Sequence, residues 1–219
     1  MRVLLGISGA SGAVYGLRAG TMLLRAGADL HVLVTGTAWD VMAGELPPPA
    51  PPPGLAARRR WLAARMSSRR PFALYAEGDF RIPFASGSNP PDAMIIAPCS
   101  MGTLGRIAHG TSPSVLSRCA DVALKEGRRL VLVPRETPLS VIHLENMLAL
   151  ARAGAVVLPA CPGFYHRPGS VGALVDFVVG RALARAGVEN DLLPRWGEAR
   201  RAANRIRAVG AGDKEGRKR

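Results

Sequence analysis

The chain is short of several residue types, and each shortage closes off a class of function. It has three cysteines, Cys99, Cys119 and Cys161, an odd number with no C-x-x-C pair. With four scattered histidines (His31, His109, His143 and His166) they give no zinc-ligand spacing. A disulfide framework is excluded too, so the expected compartment is the reducing cytoplasm. No apolar run approaches the roughly 18 residues that a membrane-spanning helix needs. Val3-Leu4-Leu5 after Met1-Arg2 begins like a secretory signal, but Gly6 ends the run far short of an apolar core. No Asp-rich segment of the kind that holds Mg²⁺ is present.

Acidic residues are also scarce. The 16 Asp and Glu face 29 Lys and Arg, a net charge of +13 that by itself points to nucleic acid. Its distribution argues otherwise. Residues 55–70 carry six arginines and no acid, residues 195–219 carry nine basic and three acidic residues, and the remainder of the chain is close to neutral. The excess is a solvated basic periphery, and neither a nucleic-acid nor a membrane partner is expected.

What is there is an ordinary globular composition, 48% apolar and 21% charged, apolar enough to build a core. Five β-branched runs stand out: Arg2–Ile7, Asp29–Thr35, Ala93–Pro98, Leu130–Pro134 and Ala155–Leu158. They are nearly continuous in hydrophobicity, the mark of parallel strands covered on both faces. Helical stretches follow them at Ala13–Ala26, Thr37–Gly44, Met101–Glu126 (with a break at Pro113), Leu139–Ala153 and Val171–Ala186. In the Leu139 stretch Ser140 is placed as an N-cap and Gly154 as the residue after the C-cap. Strands alternating with helices predict an α/β fold with a doubly wound, mostly parallel sheet, a Rossmann-like or flavodoxin-like three-layer sandwich in a single domain over residues 1–209. Pro47–Gly54 reads as an extended surface loop leading into an Arg-rich helix, so that 47–70 is an insertion. Residues 210–219 read as a flexible basic tail.

In doubly wound sheets ligands bind beyond the carboxyl ends of the strands, which singles out the residues just after each run. The first run ends in Gly6-Ile7-Ser8-Gly9-Ala10-Ser11-Gly12, small residues that let backbone N–H groups approach an anion. The spacing is neither G-x-G-x-x-G nor a P-loop nor a nucleophile elbow. The second ends in Val34-Thr35-Gly36-Thr37, without the acid a dinucleotide ribose wants, which favours a mononucleotide. The third ends in Cys99-Ser100-Met101-Gly102-Thr103, where Ser100 also suits an N-cap. The fourth ends in Arg135-Glu136-Thr137-Pro138 and the fifth in Pro159-Ala160-Cys161-Pro162-Gly163-Phe164-Tyr165.

These blocks, with Ser86-Gly87-Ser88 and His143-Leu144-Glu145-Asn146-Met147, resemble the UbiX flavin prenyltransferases in unbroken order from about residue 2 to 196. Enzymes of that family join a dimethylallyl group, usually from the monophosphate, to N5 and C6 of reduced FMN, and hand the product to UbiD-type decarboxylases. The resemblance implies that Gly9, Ala10, Ser11, Thr35, Ser100, Met101, Gly102, Thr103 and Arg135 hold FMN. It implies that Lys125, Arg135, Tyr165 and Arg181 grip the prenyl phosphate, with Glu45 near it and Trp196 closing over the site. Glu136 matches the acid–base residue, with Ser11 as a helper at flavin N5. It further implies a homo-oligomer, commonly a dodecamer, with sites at subunit interfaces.

The physics agrees with those roles. Breaking an allylic C–O bond leaves growing negative charge on phosphate, so cations gathered along one rim stabilise the leaving group, each donor by about 3 kcal/mol. No divalent metal is then obligatory. Departures exist: Cys161 stands where the family often has Met, Pro113-Ser114 replaces a frequent Asp-Asn pair, and Asn89 replaces an aromatic. All three cysteines read as small buried hydrophobes. The competing readings are an FMN-dependent cysteine decarboxylase, whose Pro-x-Met-Asn-x-x-Met-Trp segment is missing here, and a non-catalytic flavin carrier.

Overall fold

Alternate residues of each strand enter opposite layers of core, which is why the runs are apolar throughout. In the computed structural model, which describes residues 1–192, Val3, Leu5 and Ile7 face one layer and Leu4 the other. Ile95 and Val131 point to the first layer, and Met94, Ile96 and Leu132 to the second. The strands are β1 (Arg2–Ile7), β2 (Asp29–Val34), β3 (Ala73–Tyr75), β4 (Ala93–Cys99), β5 (Arg129–Pro134) and β6 (Val156–Val157). The helices are α1 (Ala13–Arg25), α2 (Gly36–Glu45), α3 (Leu55–Arg65), α4 (Met101–Ala108), α5 (Val115–Lys125), α6 (Val141–Arg152) and α7 (Val171–Ala186). Side chains of α1, α2, α3 and α7 fill the first layer, and those of α4, α5 and α6 the second.

All six strands are parallel, in the order β3-β2-β1-β4-β5-β6. The order reverses between β1 and β4, so a crevice opens beyond their carboxyl ends. The α/β three-layer fold expected from the runs is therefore present, with one strand added. β3 is a three-residue edge strand paired to β2, too short for an apolar run to reveal it. The long stretch expected over Met101–Glu126 is two helices, α4 and α5, with Pro113 between them and Ser114 capping the second.

The Arg-rich helix ends at Arg65, earlier than its run of arginines. Its proline loop is fastened to the body through aromatic rings. The Trp61 indole N–H donates to the Pro49 carbonyl at 2.9 Å, and the Arg58 guanidinium lies 4.6 Å from the Trp39 ring centroid. Arg59, Arg60, Arg69 and Arg70 remain exposed. No helix among the described residues is long and apolar enough to cross a membrane.

Candidate active site

The first strand-end turn is built on close approach. A side chain on Gly9 would collide with Thr37. Gly12 sits at φ 108°, a conformation that L side chains rarely adopt, and opens α1 without a side chain of its own to cap it. Glu45, at the end of α2, does that work instead. Its carboxylate accepts from the N–H groups of Gly12 (2.9 and 3.0 Å) and Ala13 (2.9 Å). Burial pushes the Glu45 carboxyl up, but hydrogen bonds from the Ser11 hydroxyl and from Ala13 and Gly12, with the Arg135 charge, outweigh it and hold the group below its ordinary value. Arg135 reaches back across the crevice, its Nε donating to the Ser11 carbonyl at 2.9 Å.

Thr35 is the N-cap of α2 and is buried; its hydroxyl accepts from Ala38 N–H and lies 3.2 Å from that of Thr37. Ser100 is likewise the N-cap of α4, accepting from Thr103 N–H at 3.2 Å and donating to the Thr103 hydroxyl at 3.0 Å. Met101 and Thr103 are buried beneath it, while Gly102 is exposed. Glu136 is exposed, one carboxylate oxygen accepting from Thr137 N–H at 3.0 Å. Beside it a cavity of about 110 Å³ is lined by Arg135, Glu136, Thr137, Leu139, Met147 and Cys161. Gly9, Ala10, Ser11, Glu45, Thr35, Ser100–Thr103, Arg135 and Glu136 thus share the carboxyl edge of the sheet.

The remaining cations do not join them within one chain. Lys125 ends α5, just before β5, and pairs with Glu126 at 2.5 Å. Arg135 follows β5, so the six residues of that strand hold the two about 20 Å apart. Gly87 packs so tightly on Lys125 and Glu126 that a side chain there would collide with both, which places the Ser86-Gly87-Ser88 turn on the amino edge as well. Arg181 is exposed on α7, ten residues beyond Val171 and about 15 Å along the helix. It shares a face with Phe177, four residues earlier, and the Phe177 ring packs edge-on against Tyr165 with centroids 5.8 Å apart. The expected single rim of Lys125, Arg135 and Arg181 is therefore not formed by one chain. Trp196 lies outside the described residues.

Cys99 and Cys119 are buried, their thiols pushed up to about 12 by burial, so they stay protonated as small hydrophobes. Cys161 is not one of them: the turn between two prolines carries it outward to the cavity wall, where it is exposed. Two contributors escaped the sequence reading. Glu77 accepts from Gly36 N–H at 2.7 Å and so caps α2. Ser8 joins the β1 and β4 turns. Each contact spans dozens of residues and leaves no local signal.

The donor set suits a flavin mononucleotide. Hydroxyls and first-turn N–H groups at two helix N-termini favour a phosphate and the polar ring edge, and Leu139 and Met147 on the cavity wall offer apolar surface. Comparisons with known proteins agree. Residues 1–183 match the Flavoprotein family. The chain is 50% identical over 200 residues to the flavin prenyltransferase UbiX of Pseudomonas aeruginosa, covering 90% of this chain and 94% of that one. Its fold is similar to the crystal structure of AnUbiX (PadA1) in complex with FMN and dimethylallyl pyrophosphate, with a TM-score of 0.79 and 37% identity over 90% of this chain and 97% of that one. A dodecameric FMN-dependent UbiX-like decarboxylase from Escherichia coli O157:H7 gives 0.76 and 39% over 90% and 98%.

Proposed function

Since the chain belongs to the Flavoprotein family and, within it, to the flavin prenyltransferases of the UbiX type, we propose that its carboxyl-edge cleft joins a dimethylallyl group from a dimethylallyl phosphate to reduced FMN, completed by a neighbouring subunit. The observation that carries this is the meeting of the Gly9–Ser11 turn, the α4 N-terminus and Arg135 at one crevice, fastened by the Arg135–Ser11 hydrogen bond of 2.9 Å. Reduced FMN supplies the electron-rich ring whose N5 and C6 take the prenyl carbons.

The chain's own groups do the rest. Gly9, Ala10, Ser11, Thr35 and Ser100–Thr103 bind and orient the flavin. Arg135 faces the phosphate that leaves as the allylic C–O bond breaks. Arg181 on α7 and Tyr165 from the loop before it, whose ring packs against Phe177, add donors to that phosphate. Glu136 takes the proton that flavin C6 gives up when its new bond forms. Glu45 is held ionised and fixes the Ser11 hydroxyl near N5.

Lys125 comes from a second copy. Its distance from Arg135 supports this reading, and the carboxyl edge offers the surface on which a copy would sit. Val141 and Ile142 on α6 are 69% and 66% exposed, and Leu144, Leu148, Phe164 and Val171 extend the apolar patch. A closed homo-oligomer, a dodecamer as in the Escherichia coli relative, meets that need. The product passes in the cytoplasm to a UbiD-type decarboxylase. The test is anaerobic incubation with reduced FMN and dimethylallyl phosphate, followed by the mass of the flavin. A flavin heavier by one five-carbon unit is expected, and an unaltered flavin contradicts the proposal.

A further inference from the structure

We propose that Ser8 is the positioning residue that sets the spacing between the two flavin-binding turns. This rests on the flavin reading above and adds a residue to it. The ladder between β1 and β4 ends at the Gly6–Ile96 pair. Past that point β4 shifts register against β5 and pairs again only at Cys99 with Pro134, so Ala97 and Pro98 have no regular partner on either side. Ser8 takes over there. Its hydroxyl, on a residue only 1% exposed, donates to the Pro98 carbonyl at 3.0 Å and accepts from Ser100 N–H at 2.7 Å. Its own N–H donates to the same Pro98 carbonyl at 3.1 Å.

Both sides of this link bind flavin. On one side lies the Gly9–Ser11 turn, whose last carbonyl accepts from Arg135. On the other lies Ser100, the N-cap that aims the first turn of α4. The Cys99 carbonyl between them accepts from Arg135 N–H at 3.4 Å, so the β4 turn also holds the backbone of the arginine. One hydroxyl, donating and accepting at once, therefore fixes how far apart the two sets of ligand donors stand. An alanine can do neither. It would leave Ser100 N–H without an acceptor, and the turn would shift or take up water to satisfy it. A flavin that spans both turns feels that shift as a loss of fit, because preorganised donors contribute only when already in place.

The experiment compares FMN binding and hydrogen exchange in the full-length wild type, Ser8→Ala and a control, Thr21→Ala. The Thr21 hydroxyl donates to the Leu17 and Met66 carbonyls, two turns along α1 from the site. At a temperature where all three are folded, Ser8→Ala should weaken FMN binding about tenfold, near the worth of one hydrogen bond. Exchange across residues 97–103 should quicken while that of the β5 interior stays slow. Thr21→Ala should lower the melting temperature and leave the FMN dissociation constant alone. Unchanged FMN affinity in Ser8→Ala, or an equal loss in Thr21→Ala, would overturn the inference, as would unaltered exchange at 97–103. A wild-type chain that binds no FMN would overturn the flavin reading itself, and with it this addition.

Discussion

The two edges of the sheet are chemical opposites. At the carboxyl edge the helices that follow the strands present their N-termini, and anions collect: Glu45 on Gly12 and Ala13, Glu77 on Gly36. At the amino edge α1, α5 and α7 end, and their last turns carry cations: Arg25 on α1, Lys125 on α5, Arg185 on α7. Each placement suits the helix dipole. The difference teaches that one chain of this fold cannot bring all its cations to its own anion site. A residue in the last turn of a crossover helix is carried to the far edge by the length of the strand that follows. In the proposed site, half of the phosphate grip therefore sits on the carboxyl edge, and the other half is presented to a neighbour.

Three substitutions sharpen that contrast. The largest effect belongs to Glu136→Gln at the carboxyl edge, which keeps size and hydrogen bonding but cannot take a proton. Product formation should fall about a hundredfold to ten-thousandfold with FMN affinity held, as measured by flavin mass and by fluorescence titration. Turnover at the wild-type rate would remove Glu136 from the chemistry.

Arg181→Ala lies between the edges and is expected to raise the KM for the prenyl phosphate about tenfold, the worth of one charged hydrogen bond. Its FMN dissociation constant should not change, and equal loss of both ligands would break the assignment.

The smallest effect is the pH response of Glu45. Its folded carboxyl lies below the ordinary 4.5, so its stabilising contribution is complete above pH 4.5 and is lost as the pH falls through the folded value. Glu45→Gln should flatten the acid side of the stability curve and leave the neutral side nearly level. A variant with the wild-type acid slope would mean that the Gly12 and Ala13 contacts do not hold the charge in solution.

Much of this was legible in the sequence because burial on both faces writes itself as continuous apolar runs. Arg2–Ile7 and Ala93–Pro98 announce strands β1 and β4, and Ser140 and Gly154 bracket α6 as read, with Gly154 at φ 96°. β3 escaped because an edge strand of three residues needs only Leu74 buried. The carboxyl-edge residues were legible because a parallel sheet sends every strand end the same way. The place of Lys125 at the end of α5, on the opposite edge, was not drawn from the sequence. The resemblance to a family placed it with Arg135 by role, and distance along β5 separates them in one chain. Contacts such as Glu45 on Gly12 or Ser8 on Pro98 join residues 33 and 90 apart. No local pattern encodes them, since they arise only once the strands lie side by side.

Subunit mixing tests the divided site most directly. Lys125→Ala and Arg135→Ala are each expected to be inactive as pure oligomers. Dissociated and reassembled together, some of their interfaces pair an intact Lys125 from one chain with an intact Arg135 from another, and prenyl transfer to reduced FMN should return in part. A mixed oligomer that assembles and stays as inactive as its parents would contradict the account.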